Sequence, residues 1–146
     1  MKTTMKHAIR GQVTLMAYDA DGNLLWGSQG DNLVVNKGRE NAANFAATGD
    51  SQYQFAQIAF GTSDTPTTPT DTAIAGAINK AATSITKPAF NKVQVVAELT
   101  TSEGNGTTFR EVGLLTANGD LYARRVFGSF DKTVATRLVA TWTIQF

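Results

Sequence analysis

The chain contains no cysteine, so it has no disulfide framework, no thiolate nucleophile and no zinc–thiolate site. Histidine is nearly absent as well. The single His7 lies in a polar N-terminal segment, a poor place to build a catalytic triad or a zinc–water centre. No run approaches the roughly 18 apolar residues of a membrane span, and the charged start Met1 to Arg10 lacks the apolar core of a signal peptide. A soluble chain beginning at Met1 is therefore expected. Neither charge sign dominates: 13 Lys and Arg stand against 12 Asp and Glu, for a net charge of +1. That balance argues against an electrostatic nucleic-acid or membrane binder. Leu and Glu are sparse while Thr, Ala, Gly and Asn are abundant, a bias toward strands and turns.

The 146 residues fit one domain with one core. Residues 1–10 read as an N-terminal arm and 11–146 as a single β-sandwich domain. Gln12 to Tyr18 alternates, and Asp19 to Asn23 supplies turn residues before Leu24 to Ser28, which predicts a hairpin. Leu33 to Val35 is a further apolar run. Asn36 then reads as the cap of a short helix over 37–48 that stops at Gly49 and lays Ala42, Phe45 and Ala46 on a sheet face. Residues 53–60 return to strand, 61–70 form a loop stiffened by Pro66 and Pro69, and Asp71 is expected to cap a second short helix holding Ile74, Ala77 and Ile78. Thr83 to Thr86 and Lys92 to Thr100 are β again. Seven to nine short strands with one or two small helices predict a mainly β fold, an antiparallel β-sandwich.

The last forty residues carry the most information. A two-residue type I′ turn at Asn118-Gly119 would set Leu115 opposite Tyr122, Gly113 opposite Arg124 and Glu111 opposite Val126. Glu111 and Arg124 then lie diagonally on one face as a cross-strand ion pair, with Gly113 leaving room for the arginine. The final strand places Leu138, Ala140, Trp142, Ile144 and Phe146 on one face. Its four large members would each contribute roughly 1.5 to 3 kcal/mol if fully buried, so the strand is expected at the centre of the core.

Other candidate sites are weaker. Ser28, Ser63 and Ser102 lack an elbow or a neighbouring base, and solvated loop serines are the plainer account. Asp19, Asp21 and Asn23 faintly suggest a calcium loop but lack the distal bidentate glutamate, so a turn is favoured. Gly61 to Ser63 and Gly104 to Gly106 are too short to cradle a phosphate. Arg124 and Arg125 point to opposite strand faces, weak evidence for nucleic acid. Tyr18, Trp26, Tyr53 and Phe90 could form a sugar-stacking platform, although their scatter favours packing roles. No cofactor and no metal ligand set is expected.

Thr107 to Leu114, a Gly-containing turn, Leu121 to Arg124, Lys132 and a closing alternating strand together resemble tailed-bacteriophage virion proteins. Part of the pattern is similar to the N-terminal attachment domain of phage tail-collar fibres, with Ile58 to Gly61, Pro66 to Pro69, Thr72-Ala73 and Arg110 to Leu114 matching in order. The resemblance spans roughly residues 55–146; the first fifty look like the front half of small stand-alone phage structural proteins. No shaft or receptor-binding tip follows Phe146, which points away from a whole fibre. The resemblance implies a non-enzymatic virion subunit at the tail, baseplate or fibre attachment, a homo-oligomer that contacts other virion proteins and is assembled in the host cytoplasm. A capsid decoration protein is the alternative, and a carbohydrate-binding host-recognition module a third.

Overall fold

The computed structural model describes residues 8–146. Among these residues ten strands, one α-helix and a single 3-10 turn at Ser51–Tyr53 follow in order: β1 (Arg10–Tyr18), β2 (Leu24–Asp31), β3 (Leu33–Val34), α1 (Asn36–Thr48), the 3-10 turn, β4 (Phe55–Gly61), β5 (Ile78–Ala81), β6 (Ser84–Ala89), β7 (Lys92–Leu99), β8 (Thr108–Thr116), β9 (Leu121–Asp131) and β10 (Arg137–Gln145). They form two antiparallel five-stranded sheets, β2-β1-β10-β7-β6 and β3-β9-β8-β4-β5. One apolar core unites them, with Val13, Leu15, Val95, Leu99, Leu138 and Trp142 from the first sheet meeting Ile58, Phe60, Phe109, Leu114 and Phe127 from the second. The expected mainly β sandwich is therefore the fold. Of the expected arm, residues 1–7 lie outside the described residues; Ile9 already packs on the core and Arg10 opens β1.

β10 is central, as its alternation implies. Trp142 pairs across to Val13 on one side and Val95 on the other, and Leu138, Trp142 and Ile144 are all 0% exposed. Trp142 donates its indole N–H to Asn32 Oδ1 at 2.7 Å, so its one polar atom is satisfied inside the sandwich. Phe146 departs from the expectation. It follows the last residue of β10 and is 53% exposed, because alternation places a side chain on a face but cannot supply a second sheet beyond the strand's end.

The hairpin between β8 and β9 is a three-residue loop. The Gly119 N–H donates to the Thr116 carbonyl at 2.9 Å and the Thr116 N–H to the Asp120 carbonyl at 3.0 Å. Gly119 has φ 90° and no other residue in this loop has a positive φ, whereas a type I′ turn would need both central residues there. The extra residue shifts the register between Leu114 and Leu115, so Leu115 faces Leu121 rather than Tyr122, while Gly113–Arg124 and Glu111–Val126 pair as expected.

Three local expectations also change. The segment after Asp71 is loop, and Ile78 opens β5 rather than closing a helix. Asn36 is the first residue of α1 and not its cap; its N–H donates to the Pro69 carbonyl at 2.8 Å, so the proline loop caps the helix. The buried residues of α1 are Gly38 and Asn41, which face β9, while Phe45 and Ala46 are exposed.

Candidate functional site

Arg124 stands on the outer face of the second sheet, beneath the 62–77 loop. Its Nε donates to Glu111 Oε1 at 3.0 Å and its Nη1 to Asp71 Oδ2 at 3.0 Å. Arg124 and Glu111 are 3% and 1% exposed, so the expected cross-strand pair forms in a buried setting. The second Glu111 oxygen accepts the Ser63 N–H. Asp71 is the member that periodicity missed. Read as a helix cap, it instead closes a turn by accepting the Thr68 N–H at 3.0 Å and hydroxyl at 2.8 Å. Burial works against its charged form, but the Thr68 bonds and the Arg124 guanidinium outweigh this and hold the carboxyl below its ordinary range.

The loop is seated by packing too. A Cβ on Gly113 would fall 2.5 Å from Ile74 Cγ1 and 2.8 Å from Leu121 Cδ1, so the space at this glycine belongs to Ile74 and Leu121 and not to Arg124. Ile74 packs there on a small apolar cluster of Val35, Ala59, Leu115 and Leu121. Both carboxylates are thus engaged by one guanidinium and by backbone or hydroxyl donors, which makes the cluster a clasp that fixes the loop on the sheet.

The remaining sequence candidates disperse. His7 lies outside the described residues. Ser28 accepts Arg125 Nη2 at 2.8 Å, and Arg125 reaches across to the first sheet as Arg124 reaches the other way. Asp19 accepts the Asp21 and Asn23 N–H groups at 2.9 Å each, as expected of a hairpin turn. Tyr18 lies under Arg137, Trp26 packs on Phe127 and Phe130, Tyr53 lines a groove beside α1, and Phe90 tips the β6–β7 hairpin, so these aromatics build no common platform. Among the described residues, no three His, Asp or Glu side chains converge as metal ligands, and no helix is long and apolar enough to cross a membrane.

The groove beside α1 was not legible in the sequence. It has a volume of about 820 Å³ and runs between α1 and the start of β7, with Phe45, Ala46, Tyr53, Phe55, Ile85 and Phe146 among its walls. Tyr122 also lines it. That side chain is 2% exposed, meets Phe55 edge-on at 4.7 Å, and has a hydroxyl without a hydrogen-bond partner among the described residues. Burial pushes its phenol up to about 12. Phe45 and Phe146 could have signalled the groove as two aromatics near element ends, where periodicity alone assigns them inward. Comparison with known protein families, curated proteins and solved structures finds no significant match to this chain.

Proposed function

We propose that the chain is a non-enzymatic structural subunit of a tailed bacteriophage particle, at the tail, baseplate or fibre attachment, and that it acts through protein–protein contacts. One observation carries this reading: the separate sequence pieces of the resemblance come together as one module. Ile58 to Gly61 pairs with Glu111 to Leu114, the Pro66–Pro69 loop folds back to cap α1, and Asp71 beside Thr72-Ala73 ties that loop to Arg124. Arg110 to Leu114 and Leu121 to Arg124 form the hairpin on which the loop is clasped. Buried charge is spent there on shape, which suits a subunit that must present fixed loops to its neighbours.

The experiment is to locate the chain in purified particles by mass spectrometry and by density in a reconstruction of the assembled virion. The expected result is stoichiometric incorporation with a copy number set by tail symmetry. A copy number that follows the capsid lattice would move the chain to the decoration role, and absence from particles in which the gene is expressed would overturn the proposal.

A further inference from the structure

The apolar groove and the hairpin tip beside it form one surface that the described chain leaves uncovered. Phe90 occupies the two-residue turn between β6 and β7 and is 89% exposed; Phe146, Ile85 and Phe45 are 53%, 49% and 38% exposed. Phe90 is not itself a groove wall; it sits at the groove's edge through its neighbour Asn91, whose carbonyl accepts the Phe146 N–H at 2.8 Å. Isolated surface hydrophobes need no explanation, but several large ones grouped on one face mark a contact site.

We propose that this face is a two-fold self-association surface, in which Phe90 of a second copy enters the groove. Knob and hole lie side by side on the same chain, which is the condition for an isologous contact in which each copy fills the other. Covering these four side chains in both copies would remove about 900 Å² of apolar surface, taking roughly 200 Å² for a fully exposed large side chain. Only the walls not yet counted, such as Ala46 and Tyr53, add to that, so the contact stands close to the roughly 1,000 Å² that specific interfaces exceed. Both complementary parts are present on this chain, so a foreign partner is not required. The contact would supply the self-association in the virion-subunit reading, but it rests on the groove and Phe90 and not on the resemblance. Segment 1–7, joined to the chain close to Ile9 on the groove wall, is the competing occupant.

The absence of cysteine makes the test clean. A Phe90→Cys chain mixed with an Ala46→Cys chain should give a hetero-disulfide well above either homodimer. In sedimentation equilibrium the full chain should dimerise, and Phe90→Asp or Ala46→Glu should weaken the dimer by about 100-fold or more, as expected for a central anchor, with unchanged circular dichroism. A monomeric full chain overturns the inference, as does a dimer indifferent to both charged variants. So does a chain that dimerises only after residues 1–7 are removed, because segment 1–7 would then be the native occupant. A monomer that still enters particles sinks this contact and leaves the subunit reading standing; a dimer that enters none does the reverse.

Discussion

Arg124 holds two carboxylates at once, and only one of its partners is fully buried. Asp71 retains 21% side-chain exposure, while Glu111 retains 1% and would be left as an uncompensated buried charge if the guanidinium were removed. Arg124→Met is therefore expected to destabilise the chain by about 3 to 5 kcal/mol in urea unfolding, and adding Glu111→Leu should restore part of the loss. A cost for the single variant below about 1 kcal/mol would mean that the clasp is no more than a surface ion pair. Tyr122 presents the opposite case. Its buried hydroxyl has no partner among the described residues, so Tyr122→Phe should leave stability unchanged or raise it by about 1 kcal/mol. The same change should act on alkaline behaviour. The folded phenol, at about 12, lies above its ordinary value of 10.0, so its contribution is complete below pH 10 and is lost as pH rises toward 12. Tyr122→Phe should remove that part of the alkaline loss; an equal loss in both proteins would contradict it.

α1 shows why local preference does not decide an element's packing. Gly38 lies within the helix, where Ala is favoured over Gly by about 1 kcal/mol on propensity alone. Yet a Cβ at Gly38 would fall 2.1 Å from the Tyr122 carbonyl oxygen on β9, a rigid backbone atom. Gly38→Ala should therefore destabilise the protein by about 1 to 3 kcal/mol despite the propensity gain. An increase in the thermal midpoint would show that α1 is free to shift away from β9. The same distinction explains what the sequence revealed. β10 and the Glu111–Arg124 pairing were legible because alternation and turn residues are local signals that specify faces and approximate register. The third clasp residue, the Pro69 cap on α1 and the apolar groove were not, since each depends on where the 62–77 loop or a strand end meets a distant element. Asp71, a capping-type residue before an apolar run, met the rule for a helix start; its carboxyl instead closed a turn onto Thr68 and turned toward Arg124.

At the scale of the whole molecule, the two ends of the sandwich differ. The end near Phe146 carries the open apolar groove, while the end where β7 passes to β8 is stitched by polar groups. There Glu103, in the loop between β7 and β8, binds Lys80 of β5, and Lys132, 1% exposed, donates to Asn105 Oδ1 at 3.0 Å and to the Thr133 carbonyl at 2.9 Å. Burial lowers the Lys132 ammonium from its ordinary value, with Glu103 opposing. The Lys80 ammonium, followed by the Thr100 N–H, draws the Glu103 carboxyl down to about 2 from an ordinary 4.5. A carboxyl depressed on folding stabilises the protein above its unfolded value and ceases to do so as pH falls through its folded value. Stability from this contact should accordingly be intact above pH 4.5 and lost progressively toward pH 2. Asp71, also depressed, adds to the acid loss from the clasp. Glu103→Gln should lower stability at neutral pH and flatten the decline between pH 4.5 and 2, measured by urea unfolding at a series of pH values. Lys80→Met should flatten it as well, because both variants delete the same contact between β5 and the β7–β8 loop. If the acid slope survives both changes, this pair does not hold the β7–β8 loop to β5, and the acid sensitivity belongs to the Arg124 clasp instead.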